Sequence, residues 1–105
     1  MDDKVYSTAE FEKIVLDKKI TIIDFSATWC GPCRMMAPIF EECQEKFSDS
    51  MNFYKIDLDK NENLAARLEI QYVPTFVAFK NGEELKRISG YHPQDEFELF
   101  LKSLD

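Results

Sequence analysis

The sequence predicts an α/β domain in which a mixed β-sheet is covered by helices on both faces. Two observations carry this prediction. Segments with a helical period alternate with β-branched runs along the chain, and the order strand, crossover helix, strand implies a parallel pair. Two later runs joined by Lys80-Asn81-Gly82-Glu83 read as a hairpin, which adds antiparallel strands.

Each element has its own local signal. Ser7-Thr8-Ala9-Glu10 has capping-box spacing, and Phe11, Ile14 and Val15 follow at i, i+3, i+4, so a first helix is expected over about residues 8 to 18. A short strand near Lys4 to Tyr6 would precede it. Ile20 to Ser26 is β-branched and almost continuously apolar, which suits a strand buried on both faces. Met36, Phe40, Cys43 and Phe47 then recur at i, i+4, i+7, i+11, with Glu41, Glu42, Glu45 and Lys46 on the other side. This predicts an amphipathic helix over about 33 to 48, kinked at Pro38. Met51 to Leu58 reads as a second central strand, and Leu64, Ala65 and Leu68 mark the inner stripe of a short helix over about 61 to 69. Thr75 to Phe79 and Glu84 to Ser89 are the arms of the hairpin. Phe97, Phe100, Leu101 and Leu104 form the inner stripe of a closing helix that Pro93 helps to start.

A length of 105 residues leaves room for one compact domain, here read as residues 1–105. Apolar residues make up 45% and aromatic residues 13%, too much core material for a disordered chain. The 13 basic and 20 acidic residues give a formal charge of -7, and no basic cluster exceeds the pair Lys18-Lys19, so nucleic acid and anionic membrane surfaces are poor partners. The longest nearly apolar stretch, Ile20 to Ala27, contains Asp24 and falls far short of the ~20 residues of a membrane span. Met1-Asp2-Asp3 lacks the basic and apolar regions of a secretory signal, so a cytoplasmic, reducing compartment is expected.

In such a compartment three cysteines are not a disulfide scaffold, because the number is odd and thiols are kept reduced. Cys30-Gly31-Pro32-Cys33 can hold half a zinc site, cycle between dithiol and disulfide, or fill space. Zinc needs four ligands, and only Cys43 and His92 remain as soft candidates, so no metal site is expected. Packing suits poorly an exposed strand-to-helix turn that contains Gly31 and Pro32. Redox cycling has a mechanism. With a helix starting near Cys33, Cys30 lies just ahead of unpaired N–H groups and a helix dipole that favour a thiolate. Each unit by which the thiol pKa falls raises the thiolate fraction up to about tenfold, while lost nucleophilicity takes back about threefold. Placement therefore counts for more: Cys33, one turn away, can resolve a mixed disulfide on Cys30 at high effective concentration. Pro32 restrains the turn and Gly31 leaves the approach open.

Phe25-Ser26-Ala27-Thr28-Trp29-Cys30-Gly31-Pro32-Cys33 resembles the active-site segment of the thioredoxin family. The likeness covers essentially the whole chain, including Asp24-Phe25, Lys55-Ile56-Asp57, Val73-Pro74-Thr75-Phe76 and the hairpin ending at Gly90. It implies the thioredoxin fold, a five-stranded mixed central sheet flanked by four helices, in a monomer without a bound cofactor. It also implies a reductant of disulfide-containing client proteins, recharged by NADPH through thioredoxin reductase.

Residue by residue, the resemblance makes Cys30 the nucleophile, Cys33 the resolving thiol and Asp24 the buried carboxylate that takes the Cys33 proton. The residues agree on Asp24, since a lone acid in Ile22-Ile23-Asp24-Phe25 is hard to place on a solvated surface; burial would raise its pKa. Lys55 matches a lysine near that carboxylate, although a snorkelling surface lysine explains it nearly as well. Pro74 matches a cis-proline beside the cysteines, leaving the Val73 backbone to pair with an extended substrate. Trp29, Gly31, Pro32, Val73 and Gly90 then make a flat docking face. Two positions depart from the pattern. Ser26 stands where many bacterial members carry a second Trp, and Cys43 lies outside the motif in a helical phase that favours a buried thiol. A redox-gated binding module with little turnover is the alternative function.

Overall fold

In the computed structural model, which describes residues 7–104, the chain runs α1 (Thr8–Ile14), β1 (Ile20–Ser26), α2 (Gly31–Phe47), β2 (Met51–Asp57), a 3₁₀ turn (Leu58–Lys60), α3 (Glu62–Arg67), β3 (Thr75–Lys80), β4 (Glu83–Ser89) and α4 (Gln94–Lys102). Strand order is β2-β1-β3-β4, with β1 parallel to β2 and both β1–β3 and β3–β4 antiparallel. Four strands and four α-helices therefore make up the described residues, where five strands were expected. The strand expected near Lys4 to Tyr6 lies outside the described residues.

The local signals act as expected where they are local. The Ser7 hydroxyl accepts from the Glu10 N–H at 3.2 Å while the Glu10 carboxylate accepts from the Ser7 N–H at 2.9 Å, which closes the capping box. Asn81 and Gly82 both have positive φ, 53° and 83°, the conformation that a two-residue hairpin turn requires. That turn also explains why α1 stops at Ile14 rather than near residue 18. The N–H groups of Gly82 and Asn81 donate to the carbonyls of Val15 and Asp17 at 2.8 and 2.9 Å, so the chain after Ile14 bends to meet the hairpin tip. α2 begins at Gly31, two residues earlier than expected, because Cys30 caps it and Pro32 fits the first turn. It continues through Pro38 to Phe47.

β1 is buried along its whole length because each face packs a different layer. On one side Ile20, Ile22, Phe53, Phe76 and Ala78 cluster with Met36, Phe40 and Cys43 of α2 and Phe97, Phe100 and Leu101 of α4. On the other side Ile23, Phe25, Ile56, Val77 and Phe79 cluster with Phe11, Val15 and Leu64. A third, small cluster of Ala27, Cys30, Cys33 and Val73 lies beyond the C-terminal end of β1. Sites in sheets of this kind form beyond the carboxyl ends of the strands.

Candidate active site

The turn out of β1 puts Cys30 at the N-cap of α2, with extended φ and ψ of -88° and 117°. Its sulfur accepts from the Cys33 N–H at 3.1 Å. Cys30 and Cys33 are joined as a disulfide, with their Cα atoms 5.2 Å apart. The pair is recessed, 3% and 5% exposed, while Gly31 and Pro32 between them face solvent. A Cβ on Gly31 would meet nothing within 4 Å, so the approach over the pair is open.

Two other segments close around the sulfurs. The Val73 carbonyl oxygen lies 3.6 Å from the Cys30 sulfur, and the Val73–Pro74 peptide bond is cis. Gly90, at φ 86°, donates its N–H to the Pro74 carbonyl at 2.8 Å and so ties the end of β4 to the same turn. Trp29 is 70% exposed, and its indole N–H donates to Asp59 at 3.2 Å. Asp59 is held in turn by its own N–H on the Asp57 carboxylate at 2.8 Å.

Asp24 alternates with Ile22 along β1 and so lies on the face of the sheet that α2 covers. It is 2% exposed, and one of its carboxylate oxygens has no hydrogen-bond partner among the described residues. Burial pushes its pKa up from 3.8 to about 7, against a smaller opposing pull from the positive charge of Lys55. Lys55 is the cross-strand neighbour of Asp24 in the parallel β1–β2 register, and half-buried. A carboxyl of this kind exchanges protons near neutrality, which an ordinary surface aspartate does not.

The thioredoxin family model matches residues 3–103. The chain belongs to the thioredoxin family. It is 38% identical over 93 residues to thioredoxin of Alicyclobacillus acidocaldarius, covering 89% of each chain. It is 40% identical over 93 residues to thioredoxin-1 of Schizosaccharomyces pombe, with the same coverage. Among solved structures, Plasmodium falciparum thioredoxin superposes with a TM-score of 0.88 at 33% identity, covering 96% of this chain and 97% of that one. Malassezia sympodialis thioredoxin superposes with a TM-score of 0.87 at 34% identity, covering 95% and 87%. With this membership and its closed Cys-x-x-Cys pair, the chain is a dithiol–disulfide oxidoreductase.

The structure brings together Trp29, Cys30, Gly31, Pro32, Cys33, Val73, Pro74 and Gly90, which the thioredoxin resemblance had picked out, and pairs Asp24 with Lys55 across the β1–β2 register. Cys43 stands apart, fully buried and free. Burial first, then the negative charges of Glu98 and Glu42, push its thiol up to about 11, with Lys46 opposing. Among the described residues no group of three or more His, Cys, Asp or Glu could hold a metal ion, and no helix is long and apolar enough to cross a membrane. Sequence reasoning missed Tyr72, Met35 and Tyr91, exposed by 69, 57 and 44%. Each stands next to or two positions from a motif residue, which was a usable signal. Their exposure, which distinguishes them from core residues, appears only once the chain is folded.

Proposed function

We propose that the chain works as a reductant of protein disulfides, as a single 1–105 domain and a monomer, in the cytoplasm. NADPH recharges it through a thioredoxin reductase. The observation that carries this reading is the N-cap position of Cys30 with the Cys33 N–H aimed at its sulfur at 3.1 Å. A thiolate there is stabilised by that N–H and by the helix start.

In the first step the Cys30 thiolate attacks one sulfur of a client disulfide. The client S–S bond breaks, its other sulfur leaves as a thiolate and takes up a proton, and Cys30 is joined to the client. Cys33 then loses its proton to Asp24, whose raised pKa suits it to receive one near neutral pH. The Cys33 thiolate attacks the Cys30 sulfur, the client leaves as its second thiolate, and the Cys30–Cys33 disulfide closes. Two electrons pass to the client. Reductase returns the dithiol by the reverse exchange.

Gly31 and Pro32 shape the turn that presents the pair, and Lys55 limits how far burial raises Asp24. Trp29, Val73 and Gly90 make the face on which an extended client segment lies, flanked by the exposed Tyr72, Met35 and Tyr91, while Pro74, itself buried, shapes the turn that presents Val73. A rim of exposed apolar groups around a recessed disulfide fits flexible or unfolded segments better than one rigid ligand. The test is reduction of insulin disulfides with NADPH and a thioredoxin reductase. Turnover by the native chain, lost in Cys30→Ser, is the expected result. Tight binding of a client without turnover would favour the redox-gated binding module instead.

A further inference from the structure

Two hydroxyls at the open end of the hairpin take no part in the thiol–disulfide exchange. Thr75 is the first residue of β3, 1% exposed, and pairs with Ser89 across the β3–β4 ladder. Its hydroxyl lies 2.5 Å from the Tyr72 carbonyl oxygen and 2.8 Å from the Ser89 hydroxyl. A carbonyl can only accept, so the single Thr75 proton goes to Tyr72 and Ser89 must be the donor to Thr75. The result is a directed chain from Ser89 through Thr75 to the Tyr72 carbonyl. On the other side of the same turn the Pro74 carbonyl is taken by the Gly90 N–H at 2.8 Å. The carbonyls before and after Val73 are thus both tied to the hairpin, and the one between them, that of Val73, points to the Cys30 sulfur at 3.6 Å.

We propose that Thr75, with Ser89 behind it, is a positioning residue for the redox reaction: its hydroxyl fixes the turn that holds the Val73 carbonyl against the sulfur of Cys30. This rests on the reading of Cys30 as the attacking sulfur. In the dithiol state a Cys30 S–H can donate to that carbonyl, which favours the thiol, while the Cys33 N–H and the helix start favour the thiolate. The latch sets the balance between the two, and releasing it lets the carbonyl drift and the thiolate gain.

The test is the pH profile of Cys30 alkylation by iodoacetamide in reduced protein, resolved by peptide mass. Thr75→Val, which removes the hydroxyl at similar size, should lower the apparent pKa of Cys30 by about half a unit. Thr75→Ser, which restores the hydroxyl, should return the native profile. Ser89→Ala should give a smaller shift in the same direction, and the double variant should move no further than Thr75→Val alone. Asp24 and Lys55 in the sheet, Arg34 in the first turns of α2, Asp57 at the end of β2 and Asp59 after it are unaltered in all of these, so a shift reports the carbonyl. A folded Thr75→Val with the native profile overturns the proposal, and so does a Thr75→Ser shifted as far as Thr75→Val. Should Thr75→Val fail to fold, Ser89→Ala decides, and a native profile there is equally fatal. The readout needs no turnover. A native chain that failed to reduce insulin would refute the functional reading, while alkylation would still judge the latch.

Discussion

Cys33 and Cys43 lie on the same buried stripe of α2, and they are opposites in chemistry. Cys33 sits in the first turn, where its backbone N–H meets the capping sulfur of Cys30 and its side chain closes the disulfide. Cys43 sits mid-helix in the cluster with Phe40, Phe53 and Phe97, its thiol pushed up to about 11. Burial is nearly the same for both. What differs is the helix terminus: the N–H groups at the start of α2, that of Cys33 among them, favour an anion on Cys30, the sulfur Cys33 exchanges with, while the core and the nearby carboxylates oppose one on Cys43. Reactivity in this chain is a property of position along the helix, not of the residue type or of its exposure.

The largest expected effect breaks the comparison from the Cys33 side. Cys33→Ser leaves a client bound to Cys30 with no internal thiol to release it, so steady-state insulin reduction should fall by at least ~100-fold. Non-reducing mass spectrometry should find the mixed disulfide; a variant that turns over at the native rate would remove Cys33 from the reaction.

Next comes the carboxyl behind it. Asp24→Asn should slow resolution of the mixed disulfide by about 10- to 100-fold at pH 7 and leave the initial attack nearly intact. Equal slowing of both steps would count against proton transfer to Asp24. The same change bears on stability. A carboxyl at 3.8 in the unfolded chain and about 7 in the folded one contributes its full stability only below pH 4. That stability is lost as pH rises through this window and levels off above about 7, at a loss of the order of 4 kcal/mol. Urea denaturation should therefore show Asp24→Asn gaining on the native chain from pH 4 to pH 8. A gap independent of pH would show that Asp24 is not the group responsible.

The smallest effect sharpens the comparison from the other side. Cys43→Ser places a hydroxyl in an apolar cluster and should cost about 1–3 kcal/mol of stability with insulin turnover unchanged. A loss of turnover approaching that of Cys33→Ser would place Cys43 in the reaction.

Much of this was legible in the sequence because it is local. β1 occupies the stretch its continuous apolar character marks, Ile20–Ser26, and the motif residues announce a redox site by type and spacing. Asp24 was legible as a buried acid for the same reason, since nothing around it in sequence could be solvated. The C-terminal ends of α1 and α3 were not. α1 stops early because the hairpin tip takes the carbonyls of Val15 and Asp17. α3 stops at Arg67, with the Leu68 carbonyl accepting from Arg87 at 3.0 Å and Glu69 turned to φ 55°. The exposed Tyr72 and Tyr91 and the Thr75–Ser89 pair were invisible for one common reason: each depends on segments distant in sequence meeting at the hairpin.

The most direct test of the division between the two cysteines is brief alkylation of the reduced, native protein at neutral pH, read by peptide mass. Cys30, at the helix terminus, should be labelled well ahead of Cys43, with Cys43 reacting only after the protein is unfolded. Labelling of Cys43 in native protein as fast as Cys30 would contradict the claim that the helix terminus makes the difference.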